Sequence, residues 1–75
     1  MPRFPEESIV CLKRTMLARA GHEFKFTPAD VEEILKETGL NQAQVQVWTD
    51  HFRMRYATEK ERVDFLSAET VEKVT

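Results

Sequence analysis

Residues 27–41 constrain the fold of this chain more than any other stretch. Thr27 suits a helix N-cap, Pro28 the first helical position, where its missing N–H costs nothing, and Asp30 stands three residues after the cap. Val31, Ile34, Leu35 and Thr38 then share one face, and Lys36 and Gly39 close the segment as a basic last turn and a left-handed stop. Asn41 starts a second helix at once, with Gln44 as its capping-box partner. Two helices joined only by Gly39, Leu40 and Asn41 form a helix-turn-helix, placed at residues 28–56, with Leu40 as the apolar plug of the joint.

The second of these helices carries Val45, Trp48, Thr49, Phe52 and Tyr56 at spacings of three and four, a single stripe directed inward. From Leu40 to Thr75 neither proline nor glycine interrupts the chain, so this helix is expected over 42–58, with room to run to Lys60 or beyond. A pair of helices cannot cover such a stripe alone. The cover is expected from a helix near 5–20, with Pro5 in its first turn, Glu6 and Glu7 against the helix dipole, Ile9, Leu12, Met16 and Ala20 in register with Leu17 beside them, and Gly21 as its stop. Between the helices Phe24 and Phe26 alternate with charged residues. This pattern fits a loop that tucks one phenylalanine under the helices, or else a short strand.

The expected architecture is therefore all-α, a three-helix bundle around one core of Leu12, Met16, Phe26, Ile34, Leu35, Leu40, Val45, Trp48 and Phe52. Seventy-five residues support one domain and one modest core. Its body is set at 8–60, with residues 1–7 as a flexible N-terminal arm and 61–75 as a C-terminal helix extension or flexible tail. The tail holds Val63, Phe65, Leu66, Val71 and Val74, and Ser67 with Glu69 could open a short extra helix. It is read as a loose end, as a segment packed back on the domain, or as a surface for a protein partner through Val63, Phe65 and Leu66.

Composition excludes several functions. A hydrophobic fraction of 41% beside 32% charged residues is that of a globular domain, and no apolar run approaches the ~20 residues of a membrane helix. The polar start, Met1 to Glu7 with two prolines, does not read as a signal peptide. One cysteine, Cys11, excludes an internal disulfide framework and a structural zinc site, and points to a reducing compartment. The two histidines, His22 and His51, make no metal or general-base pattern; the carboxylates form no convergent pair and there is no glycine-rich phosphate loop. No enzyme, cofactor, metal or small-molecule substrate is expected. The net charge of −2, from 11 basic and 13 acidic residues, is unlike that of a strongly basic nucleic-acid binder.

At residues 38–56 the chain reads Thr-Gly-Leu-Asn-Gln-Ala-Gln-Val-Gln-Val-Trp-Thr-Asp-His-Phe-Arg-Met-Arg-Tyr. This resembles the recognition segment of the homeodomain family, roughly L-T-x-x-Q-V-x-x-W-F-x-N-R-R-M-K. Leu40, Gln44, Val45, Val47, Trp48, Arg53, Met54 and Arg55 match it or vary it conservatively. Ile34 and Leu35 fit the family's second helix, Phe26 the apolar residue before it and Met16 the first helix's main core position, so the similarity spans about residues 8–58. The resemblance implies a nuclear transcription regulator whose third helix lies in the major groove of double-stranded DNA. It implies a base-reading face of Val47, Asp50, His51 and Met54, phosphate contacts from Lys25 (a tyrosine in the family), Gln44, Arg53 and Arg55, and a minor-groove arm holding only Arg3.

Four departures from the pattern bear on function. His51 stands where the family has an asparagine that pairs with adenine, and an imidazole cannot offer that paired amide edge. Thr49 stands where a core phenylalanine is usual and Phe52 where an arginine is usual, which reads as a compensating swap along one stripe. Asp50 sets a negative charge on the groove face. Residues 41–60 carry three basic and two acidic side chains. The expected function is a DNA-binding module with weakened or altered recognition, weak enough to need a second domain or partner. The alternative is the same fold used as a protein-interaction module that does not bind DNA.

Overall fold

A computed structural model describes residues 4–68, to which all that follows is confined. The chain is all-helical: α1 (Glu6–Ala18), a 3₁₀ turn (Ala20–His22), α2 (Pro28–Thr38), α3 (Gln42–Arg55) and α4 (Glu59–Ser67), with no strand among the described residues. The strand alternative at residues 22–26 is thereby set aside.

α2 begins and ends, and α3 begins, where their local chemistry directs. Thr27 accepts from the Asp30 N–H (3.1 Å) while the Asp30 carboxylate accepts from the Thr27 N–H (2.9 Å). Asn41 and Gln44 repeat the reciprocal cap at 2.8 and 2.9 Å. Gly39 adopts φ +77°, a left-handed conformation that costs a Cβ-bearing residue energy, and donates its N–H to the Leu35 carbonyl.

α1 departs from expectation at both ends. Pro5 is its N-cap, and the helix stops at Ala18, so Gly21 lies inside the following 3₁₀ turn instead of ending the helix. That turn leads into two consecutive left-handed residues, Glu23 (φ +61°) and Phe24 (φ +53°). Such geometry is uncommon away from glycine and asparagine. It swings Phe24 into the core, 3% exposed, while Phe26 stays half-buried against Trp48. The expected core thus needs Phe24 added at its centre and Phe26 moved to its edge. Leu35 is also half-buried, whereas Leu12, Met16, Ile34, Leu40, Val45, Trp48 and Phe52 are buried as expected, joined by Cys11 and Leu66.

The largest correction lies after α3. The helix does not run to 58 or Lys60; it ends at Arg55, and Thr58 caps a separate helix. Thr58 accepts from the Glu61 N–H (3.1 Å), and the Glu61 carboxylate accepts from the N–H groups of Ala57 (3.0 Å) and Thr58 (3.2 Å). These backbone donors, that of Thr58 first, hold the Glu61 pKa below its usual value. Ser67 is the last residue of α4, not the start of a helix. α4 returns to pack on α1. Leu66 is buried, Val63 and Phe65 are partly buried against the core, and buried Lys13 donates from Nζ to the Ala68 carbonyl (2.8 Å) with its ammonium 4.5 Å from the Phe65 ring centroid. The tail's apolar residues at 63, 65 and 66 are therefore used in a fourth helix; Val71 and Val74 lie outside the described residues. Leu66→Ala should lower unfolding stability by about 2–4 kcal/mol in urea melts, as truncation of a buried leucine does. A loss below about 0.5 kcal/mol would show that α4 is an appendage and not part of the core.

One ion pair couples α1 to the start of α2. Arg19 grips Asp30 with two hydrogen bonds, Nε to Oδ2 at 2.6 Å and Nη2 to Oδ1 at 2.8 Å. The Arg19 guanidinium, reinforced by the Thr27 N–H, lowers the Asp30 pKa from 3.8 to about 2. A carboxylate depressed in the folded state adds stability above its unfolded pKa and loses it as pH falls toward its folded one. The Asp30 contribution, about 2 kcal/mol, should be full above pH ~4 and fade between pH ~4 and ~2. Urea melts of wild type and Asp30→Asn should converge over that window; a constant gap between them would exclude Asp30 as a source of acid sensitivity.

Candidate nucleic-acid interface

α3 has two chemically distinct sides. Val45, Trp48 and Phe52 face inward and are buried. On the opposite side Val47, Asp50, His51 and Met54, at helical spacings of three, one and three, form a continuous stripe. Val47 is 37% and Met54 78% exposed, Asp50 is exposed and His51 half-buried. The four residues expected to read bases thus share one uncovered face. Gln46, one turn before Asp50, donates from Nε2 to its Oδ1 at 3.0 Å.

The residues expected to contact phosphate fare differently. Lys25 is exposed and only loosely paired, its Nζ 3.9 Å from Glu23 Oε1. Gln44 uses its carboxamide oxygen in the α3 cap, and the NH₂ half that would donate to a phosphate takes no part in that bond. Arg53 is turned toward the loop: Nη2 donates to the Glu23 carbonyl (3.3 Å) and to the Phe24 carbonyl. This bond pair ties α3 to the left-handed turn and leaves Nε and Nη1 outside it. Arg55 is exposed, its guanidinium carbon 6.0 Å from the Tyr56 ring centroid. Arg3 lies outside the described residues.

Lys25 and Arg53, twenty-eight residues apart in the chain, line one open cleft between the start of α2 and one side of α3. Its apolar wall is Phe26, Val31 and Val45, and Thr49 stands at its edge with Oγ1 donating to the Val45 carbonyl (2.9 Å). The small threonine leaves this cleft open. Phe52, one turn on, is 3% exposed and meets four other rings, so the exchange between positions 49 and 52 moves the aromatic group into a different part of the core. Nothing in the periodicity of α3 announces the cleft or the inward turn of Arg53. Both depend on where the 23–26 loop lies.

The remaining reactive groups are accounted for structurally. Cys11 is buried and its Sγ donates to Glu37 Oε1 at 3.2 Å; burial, then the bond to Glu37, pushes the thiol pKa up, away from thiolate chemistry. Among the described residues no three His, Cys, Asp or Glu side chains are grouped to hold a metal ion, and no helix is long and apolar enough to cross a membrane. No family model matches this chain, and no curated protein or solved structure is significantly similar to it.

The exchange is testable by a double-mutant cycle followed in urea. Phe52→Arg should cost about 3 kcal/mol by putting a charge where a buried ring was. Thr49→Phe should be neutral or stabilising by up to about 1 kcal/mol, because its ring would cover Phe26 and Val31. Because the two side chains occupy different parts of the core, the double variant should be additive to within about 0.5 kcal/mol; a recovery of about 1 kcal/mol or more beyond additivity would show that a ring at position 49 compensates for the one lost at 52.

Proposed function

We propose that this domain is a homeodomain-like DNA-binding module of a nuclear transcription regulator, elaborated by a fourth helix, with α3 as the groove-reading element. The observation that supports this most directly is the combination of an uncovered α3 face with a cleft that gathers Lys25 and Arg53 beside it. In this reading those two cations, with Arg55, hold phosphates at the groove margin, while Val47, Asp50, His51 and Met54 meet base edges. Phosphate contacts position the helix; the stripe supplies selectivity. The reading requires no cofactor, metal or catalytic group.

The electrostatics define a weak binder. Lys25 in the loop and Arg53 and Arg55 on α3 are opposed by Asp50 on α3 and by Glu32 in the cleft, and the whole chain carries a net charge of −2. Affinity is then about micromolar at physiological salt, and a second domain or partner has to supply the rest. A second reading, a protein-interaction module on the same scaffold, is favoured by one observation. Of the three large apolar side chains exposed among the described residues, Val47 and Met54 both lie on the α3 face. In that case the partner would meet α3 and not Val63, Phe65 and Leu66, which pack against the domain's own core.

Titration of labelled duplex DNA between 50 and 200 mM salt distinguishes the two. Three phosphate contacts give a slope of about −3 in log affinity against log salt. Lys25→Ala, an exposed change, should reduce that slope by about 1 and weaken all sequences alike. A folded domain with no measurable affinity for duplex DNA at low salt would sink the DNA reading and leave the α3 face as a protein-docking surface.

A further inference from the structure

Asp50 is the only carboxylate on the exposed stripe of α3, and it is held in place. Gln46 Nε2 donates to Oδ1 at 3.0 Å from one turn earlier, which orients the carboxylate along the outer face and leaves Oδ2 as an acceptor outside that bond. An ionised carboxylate only accepts hydrogen bonds. The major-groove edges are mostly acceptors themselves: guanine O6 and N7, adenine N7 and thymine O4 all repel it. Two donors are available, the amino groups of adenine and cytosine. Adenine sets its amino group beside the N7 acceptor, whereas cytosine sets it beside an apolar C–H edge. In the base pair the adenine amino group lies between two acceptors, its own N7 and thymine O4, whereas the cytosine amino group has one, guanine O6, so cytosine bonds a carboxylate with the least adjacent repulsion.

We infer that Asp50, oriented by Gln46, makes α3 a selective reader of cytosine at one position of its DNA site. The inference rests on the DNA-binding reading above. Asp50 lowers affinity for every sequence through phosphate repulsion, and raises discrimination at one base pair by accepting from the cytosine amino group. Val47 and Met54, exposed one turn before and one turn after it, suit thymine methyl groups at the neighbouring positions. His51, beside Asp50 on the stripe, can donate a ring N–H to guanine. Gln46 acts as a positioning residue, since its bond to Asp50 runs along the helix.

The test is selection of binding sites from a random duplex pool, followed by anisotropy titrations of the selected duplex and its single-base variants. One position should favour cytosine over each other base by about tenfold. Asp50→Ala should flatten that preference to within about twofold and raise affinity for the non-cytosine duplexes. Gln46→Ala should reduce the preference with little effect on overall affinity. With the wild-type chain, N4-methylcytosine at that position, which keeps its Watson–Crick N–H but replaces the groove-facing donor with a methyl group, should weaken binding by about tenfold, and Asp50→Ala should respond to it by less than about twofold. DNA binding without a cytosine preference, or a preference that survives Asp50→Ala, overturns the inference while leaving the DNA reading intact. Failure to bind any duplex removes both.

Discussion

Four rings converge on Phe52. Trp48 stacks on it at 5.5 Å with the planes 5° apart, and Phe24, Tyr56 and Phe65 approach at 6.1, 5.9 and 6.0 Å. These partners come from the loop before α2, from α3, from the α3–α4 junction and from α4, so one side chain joins four segments of the chain. In a domain this small, large aromatic burial supplies a disproportionate share of the stability. The positions of the loop and of α4 both follow from this cluster. Arg62 lies over the cluster's edge, 5.6 Å from the centroids of Phe24 and Phe52, and donates to the Tyr56 carbonyl at 2.6 Å, so the turn between α3 and α4 is fastened from the α4 side.

The cluster also sets the limits of the candidate interface. Because Phe65 must return to stack on Tyr56 at 4.4 Å, α3 ends at Arg55 and cannot extend as a longer free helix. Because Phe24 must enter the core, the preceding backbone takes a left-handed turn whose carbonyls point at Arg53. One guanidinium nitrogen is thereby committed to the fold, and the charge is held beside Lys25 at the cleft instead of ranging along the helix. The inner face of α3 thus determines which charges its outer face can present. The outer residues themselves, Val47, Asp50, His51 and Met54, touch little of the core and can vary in chemistry at small cost to stability.

Much of the helical framework was legible in the sequence because its signals are local. Thr27 with Asp30, and Asn41 with Gln44, cap across three residues; Gly39 supplies the left-handed stop; Val45, Trp48 and Phe52 share a side by periodicity alone. Those features set both ends of α2, the start of α3 and the division of α3 into inner and outer faces, and with it the membership of the outer stripe, Val47, Asp50, His51 and Met54. Thr58 and Glu61 form an equally local cap, but no proline or glycine marks the break before it.

Tertiary structure decided the rest, where the partners lie far apart in the chain. Whether Phe24 or Phe26 enters the core depends on the space beneath Phe52, and both phenylalanines alternate with charged neighbours in the same way. Lys13 reads as a surface lysine until Ala68, fifty-five residues on, brings it a carbonyl. Arg53 reads as a free helix charge until Glu23 and Phe24, about thirty residues back, accept from it. Caps and helical faces follow from backbone geometry within a turn or two. The burial of one aromatic over another, and the direction an arginine takes, follow from which distant surfaces compete for the same volume, and that competition exists only once the helices have packed.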